Sequence, residues 1–418
     1  MTGPGRIFKY LAMNNTILDR LIDKGVVIPN PETVFISQEV DPDRICGNGV
    51  TLYGGTKLVG SRTLIMDNAV IGYQAPVTLE NTLVGPGTKL NGGFFQDAVF
   101  LGKNDFGSGA HVRAGTILEE EANAAHTVGL KQTILFPFVT LGSLINFCDC
   151  FMSGGTSRKD HSEVGSSFIH FNYTPNQDKA TPSMFGNICD GVMLNQLPVF
   201  LGGQGGVVGP ARVAFGCISA AGSIVRKTED RANRIILGGG LKNLSMPRKP
   251  GVYARVEEIY THNLIYIGEL FALRAWYHHV RPLFAKDALS RALIFGLQEN
   301  LEACIKERIK RLLALEEKLD ISKQVMATAS DSRKNPAIAV HDKVINRLKT
   351  AGPIFDALLS AAPQDHKAAP FVRAVAAGIQ EQGLDYVRVI QGLSQNNAAL
   401  GTQWLTGIAK EVVTALAL

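Results

Sequence analysis

The chain has 418 residues, 45% of them hydrophobic, and a formal charge of +5. That length points to two domains, and its scattered Lys and Arg exclude a phosphate-tracking nucleic-acid surface as the first expectation. No apolar run approaches the ~20 residues that cross a bilayer, and the N-terminus lacks a basic-then-apolar leader, so the expectation is no membrane partner and a cytoplasmic location.

Phe8 to Lys24 place Leu11, Ile17, Leu18, Leu21 and Ile22 at helical spacing, and Lys24-Gly25 closes the run, which predicts a short helix within residues 1–25. The pattern then changes to a period of six. Val59-Gly60 with Thr63, Ile65 with Ala69, and Ile71-Gly72 with Ala75 are consecutive hexads; Phe106-Gly107 with Ala110, Val112 with Thr116, and Leu118-Glu119 with Ala122 are further ones. Such hexads predict a left-handed parallel β-helix over residues 26–250, each forming one flat face of a triangular coil with its aliphatic residue pointing inward. An amphipathic helix or a β-sandwich fits this stretch less well, because neither has that period.

Insertions break the hexads at Ser153 to Asn172, which carries Arg158, Lys159, Asp160 and His161, and at Thr174 to Ser183, which carries Asp178 and Lys179. Loops on a rigid solenoid are where function is usually placed. A Gly- and Pro-bearing connector follows between Lys227 and Tyr253, and residues 251–418 read as an α-helical domain. Leu301, Ile305, Ile309, Leu312, Glu316 and Leu319 mark one helical face, a seam that suits either an antiparallel bundle or a short trimeric contact. Further helices are predicted at Val340 to Ala361, Phe371 to Leu393 and Thr402 to Leu418, with Pro353 kinking or dividing the first.

The six cysteines, without an export signal, are expected to be reduced. Cys148 and Cys150 form a CxC with no second Cys/His pair close by, so they read as buried small residues, and no required metal is inferred. The adjacent His278 and His279 point to different sides of a helix and make a weak ligand set, so they are expected at a helix end.

Three stretches resemble the C-terminal half of bifunctional UDP-N-acetylglucosamine pyrophosphorylase/glucosamine-1-phosphate N-acetyltransferase: Gly25-Val26-Val27-Ile28 to Pro31-Glu32-Thr33, Val164 to Tyr173 with its Asn-Tyr ending, and Ile218 to Val225. They occur in the family's order. The Gly-rich nucleotide-binding segment of that family is missing from the chain, so uridylyl transfer is not expected of it. The resemblance implies a hexapeptide-type acyltransferase that uses acetyl-CoA on a sugar phosphate or sugar nucleotide and works as a homotrimer with clefts between subunits. Asn172, Tyr173 and Lys179 match positions that contact acetyl-CoA and the sugar phosphate. Ala221 and Gly222 match a coil corner along which the pantetheine arm runs, and Lys227 falls where the family has an arginine.

The family's catalytic histidine is replaced by Phe147, which cannot accept a proton. His161 is the expected substitute base, with Asp160 or Glu163 to orient it; His126 and His170 are further candidates, His170 packing or pointing outward from its strand. Arg158, Lys159, His161 and Lys179 together are expected to give a cleft suited to a phosphorylated sugar. The alternative is a catalytically silent β-helix that binds a sugar nucleotide or scaffolds a separate nucleotidyltransferase, since fold alone does not fix activity.

Overall fold

The computed structural model describes the chain apart from residues 1–16, 173, 240–242, 244, 246, 248, 330–335, 362–364 and 418. The alternating hexads wind into a parallel β-solenoid of about 11 turns, followed by helices. Each turn crosses three faces in order. Face 1 runs from Phe35–Ile36 to Ile224–Val225, face 2 from Leu64–Ile65 to Arg212–Val213, and face 3 from Thr51–Leu52 to Ile235–Ile236. Faces 1 and 2 form one sheet because the strands Gly129–Leu135 and Asn146–Met152 continue around the edge between them. Gln132 and Asp149 take that bend at φ +51° and +64°, the left-handed region that short polar side chains tolerate better than branched ones.

The inward residues confirm the hexad register at Ile65, Ile71, Phe106, Val112 and Leu118, all fully buried. The first hexad differs. Leu58, in register with Ile36 and Leu79, fills the interior, while Val59 is half-buried; the corner between Leu58 and Ile65 is one residue longer, which moves the count by one. His170 also faces inward, in register with Val207, and bridges the Cys148 carbonyl (2.5 Å) and Ser183 Oγ (2.8 Å). Burial pushes its pKa down to about 4, so the ring is neutral and structural. Residues 17–23 are helical with Leu18 and Leu21 buried; the rest of the N-terminal helix expected from Phe8 lies outside the described residues.

Face 2 is apolar on both sides. Leu64, Leu83, Val99, Ile117, Ile134, Phe151 and Met184 stack in register on its outer surface, one per turn, and all are buried. What buries them is the helical region, so the two parts of the chain share one hydrophobic core. A strand pair buried on both sides reads as a continuous apolar run, and each such side chain contributes about 1.5–3 kcal/mol.

A short helix α1 (Ile188–Gly191) interrupts the edge between faces 2 and 3. Seven more helices follow among the described residues: α2 (Val256–His279), α3 (Ala288–Leu313), α4 (Leu315–Ala329), α5 (Pro336–Ser360), α6 (Asp365–Gln382), α7 (Tyr386–Gln391) and α8 (Gln395–Leu416). The sequence places α3 well: Asp287 caps it through a reciprocal pair with Ser290, and Lys310 and Arg311 sit at its negative end. The seam expected from Leu301 to Leu319 is divided at Ala314, which caps α3, so Glu316 and Leu319 belong to α4; its apolar residues are buried within the chain's own core. Gly296 lets α3 lie on the outer ladder, since a Cβ there would stand 2.2 Å from Leu83 Cδ2, and Gly268 does the same for α2 against the Ala409 carbonyl at 2.7 Å.

Two helix boundaries depart from expectation. Helix α5 runs through Pro353 without division; packing of Val344, Ile345, Leu348, Ala351 and Phe355 outweighs one missing N–H. The segment expected as one helix from Phe371 to Leu393 is two, because Gly383 at φ +82° ends α6. His278 and His279 occupy the last turn of α2.

Candidate functional site

Helices α3 and α4 run along the edge between faces 1 and 2, touching it turn by turn. Asn300 Nδ2 donates to the Asp97 carbonyl (3.0 Å), Cys304 Sγ to the Gly115 carbonyl (3.2 Å), and Lys318 Nζ to the Gln177 carbonyl (2.6 Å). Between these lies a buried ion pair, Arg308 Nη2 to Asp149 Oδ1 at 2.8 Å. Asn172 completes it by donating from Nδ2 to Asp149 Oδ2 at 3.0 Å. The loop after Asn172 is fixed to the helices as well: Tyr253 OH donates to Asp178 (2.8 Å) and Asn263 Nδ2 to the Ala180 carbonyl (3.0 Å).

On the opposite side of the covered face, the edge between faces 2 and 3 forms a groove of about 800 Å³ with helices α3, α6 and α7. Met66, Leu101 and Leu297 give it an apolar wall, and the exposed Lys103, Lys286 and Arg388 stand around it. Beneath the wall lies a second buried charge cluster. Arg281 donates to Glu119 (2.5 Å) and to Glu120 (2.6 and 2.9 Å), Tyr277 OH donates to Glu119 (2.7 Å), and the guanidinium carbon lies 3.4 Å from the centre of the Tyr386 ring. Burial pushes the Glu119 carboxyl up to about 7 despite the adjacent Arg281 charge. Because Arg281 is engaged by two carboxylates and Lys103 stands 4.0 Å from Glu121, the positive charge open to a ligand comes mainly from Lys286 and Arg388, with Asp385 also on the rim. A cavity of this size with an apolar wall and a few convergent polar groups is the usual form of a small-molecule site, and those cations suit an anionic ligand.

The residues expected at a site from the sequence lie on all three edges. Arg158, on the hairpin Gly155–Ser157/Asp160–His161, belongs to the 2/3 edge, where it donates to the Glu121 and Phe138 carbonyls (3.1 and 2.7 Å) and to Thr140 Oγ1 (3.0 Å). It thus ties successive turns together behind the groove, and the same hairpin touches a groove residue where Gln391 donates to the Thr156 carbonyl (2.6 Å). His161, half-buried, stands 3.7 Å from Glu163 and keeps a buried Nδ1 with no hydrogen bond. Asn172 and the half-buried Lys179 lie on the 1/2 edge, while Tyr173 lies outside the described residues. Ala221 and Gly222 are exposed on the 3/1 edge, and Lys227 is exposed one face further on. Within one chain, therefore, Arg158, Lys159 and His161 do not share a cleft with Lys179. Between His161 and Asn172 the backbone crosses face 3 at Glu163–Val164 and face 1 at Ile169–Phe171, so nearness in sequence becomes separation by two sides of the triangle. His126 is exposed, beside Thr127. Cys148 and Cys150 are buried free thiols, and no group of metal-ligating side chains occurs among the described residues.

The Glu119–Glu120–Arg281 cluster escaped the sequence reading. Its signal was present: three consecutive acids, Glu119 to Glu121, follow an inward Leu118 where a solenoid corner needs small or solvated residues, and Arg281 follows the His278-His279 pair by two positions.

No family model matches the chain. Curated relatives match a little over half of it. Bifunctional protein GlmU of Nitratidesulfovibrio vulgaris (strain DP4) is 28% identical over 230 residues, 55% of this chain and 45% of that protein. GlmU of Corynebacterium jeikeium is 25% identical over 249 residues, 58% of this chain and 45% of its own length, and GlmU of Nocardia farcinica is 27% identical over 249 residues, 58% and 44%. The solenoid is GlmU-like. The chain spans about 45% of the length of these GlmU relatives. Among the described residues no helix is long and apolar enough to cross a membrane.

Proposed function

We propose that the chain is a hexapeptide-type acyltransferase that takes acetyl-CoA as donor and a sugar phosphate or sugar nucleotide as acceptor, with the phosphorylated part of the acceptor in the groove between faces 2 and 3. The observation that carries this reading is that groove, about 800 Å³ and ringed by Lys103, Lys286 and Arg388, on a solenoid whose relatives are GlmU proteins. The cations neutralise phosphate, and the wall of Met66, Leu101 and Leu297 packs on the less polar faces of sugar or base. His161, on the hairpin adjoining the groove, is the base of this proposal. Its Nδ1 is turned into the protein, so the proton of the acceptor amine would go to Nε2, which stands 3.7 Å from Glu163.

For the donor, Ala221 and Gly222 offer a flat strip of edge, where a Cβ at Gly222 would meet nothing within 4 Å. The homotrimer belongs to the same proposal. Because helices occupy face 2, three copies would meet through faces 1 and 3, where Phe35, Ile169, Phe171, Phe200, Ile218 and Ile235 are exposed.

A second reading, a silent sugar-nucleotide binder or scaffold, is favoured by one observation. Phe147 stands where the resemblance puts the catalytic histidine and is fully buried in the solenoid interior, while Asn172 is tied to Asp149. Acetyl-CoA turnover with a panel of amino-sugar phosphates, for wild type and His161→Ala, separates the two, with calorimetry of UDP-sugar binding to wild type and Lys103→Ala/Arg388→Ala. The transferase reading expects turnover lost by a factor of about 10²–10⁴ in His161→Ala. Binding without turnover by any acceptor selects the second reading; neither binding nor turnover removes both. A monomer by light scattering would remove the trimer.

A further inference from the structure

A second cavity, of about 840 Å³, opens at the far end of the covered face, where the outer ladder of face 2 stops. Arg212 occupies the next rung after Met184, so the ladder ends in a charge instead of an aliphatic side chain. The cavity is walled by Val252, Val256, Ile265, Met326 and Val340, and its polar lining comes from Arg212, His262 and His341 and, in the first turns of α2, Glu257, Glu258 and Thr261.

Three features converge there. His262 is 7% exposed, and its Nδ1 is buried without a hydrogen-bond partner. Arg212 is held by Asp230 through Nε (3.1 Å) and Nη2 (2.8 Å), which leaves Nη1 buried and without a partner. Helix α2 begins at the same place with Arg255 as its N-cap in the left-handed region (φ +52°), and no side chain caps its first N–H groups. A buried polar atom without a partner is unfavourable, and a helix N-terminus favours negative charge. The acids of that first turn are engaged elsewhere, Glu257 by Lys343 (3.6 Å) and Glu258 by Arg255 (3.3 Å). His262 Nε2 lies 3.4 Å from Thr228 Oγ1, and when it accepts that hydroxyl's proton Nδ1 carries the ring N–H.

We propose that this cavity binds an alkyl carboxylate, a medium- or long-chain fatty acid, with its chain along Val256, Ile265, Met326 and Val340 and its carboxylate on His262 Nδ1, Arg212 Nη1 and the start of α2. A volume of about 840 Å³ falls in the range of small-molecule sites, about 300–1,000 Å³. The cavity shares no lining residue with the groove, so this site is distinct from it and independent of the activity proposed above.

Calorimetry of the full chain with dodecanoate, dodecanol and acetate tests it, using wild type, His262→Phe and Val340→Trp, each variant checked by its melting curve. The expected result is one dodecanoate per chain, no acetate binding, and dodecanol weaker by about tenfold for lack of the charged head. His262→Phe weakens dodecanoate by about tenfold and Val340→Trp, which fills the cavity from a half-buried position, by more. Absence of dodecanoate binding to wild type overturns the proposal, as does binding that Val340→Trp leaves unchanged. Equal affinity for dodecanol and dodecanoate overturns the assignment of the carboxylate to His262 and Arg212.

Discussion

Face 2 and its two neighbours are made by the same hexad rule and meet different fates. On faces 1 and 3 the outward position alternates in character, as in Lys57, Thr78 and His111 or Lys89, Asp105 and Asn123. On face 2 it is aliphatic or aromatic in seven consecutive rungs from Leu64 to Met184, and there the helices settle. What directs a helical region onto one side of a three-sided solenoid is thus the outward column, while the inward column specifies only that a solenoid forms.

Arg308→Met breaks the covered side most severely, because it leaves Asp149 charged, buried and unpaired; a loss of about 3–5 kcal/mol is expected in denaturant unfolding, part of it regained by Arg308→Met/Asp149→Asn. Ile117→Ala opens a cavity between face 2 and α3 and should cost about 2–5 kcal/mol, whereas Thr78→Ala on face 1 should stay within about 0.5 kcal/mol. Equal costs would mean that the helices add nothing to face 2. A smaller, graded effect comes from Glu119. Its folded pKa of about 7 lies above the ordinary 4.5, so the folded state holds more protons between those values. The stability this group contributes is present below about 4.5 and falls as pH rises through about 7; melting temperature against pH should show that decline in wild type and a flatter line in Glu119→Gln. Least affected is Arg20→Ala, which removes an exposed 2.9 Å pair with Asp43 and should change stability by about 0–1 kcal/mol.

The contrast between columns also explains what the sequence could and could not disclose. The inward column repeats at a period that one chain displays by itself, so the solenoid, its rungs and the helical region after it were legible. Leu58 for Val59 is the kind of slip a longer corner causes. The paired apolar residues of face 2, Leu64-Ile65, Leu83-Val84, Ile134-Leu135 and Phe151-Met152, also stood in the sequence, but their meaning depends on which face they occupy, and that follows only from the complete coil count. The site was legible residue by residue and not as a constellation. His161 and Asn172 are eleven positions apart and on different edges, whereas Glu119 and Arg281 are far apart and in contact. Triangular winding turns linear distance into angle, and a motif search measures only the former.

The turn-by-turn fastening of α3 and α4 carries one more consequence. A bare hexapeptide coil can gain or lose a whole rung with little harm, since each rung touches only its neighbours. Here Asn300, Cys304, Arg308 and Lys318 each grip a particular rung, at Asp97, Gly115, Asp149 and Gln177. The helix advances about 1.5 Å per residue and the stack about 4.8 Å per rung, so removing or adding one would put every later grip out of step. The helical pair works as a ruler, and the length of this solenoid is measured.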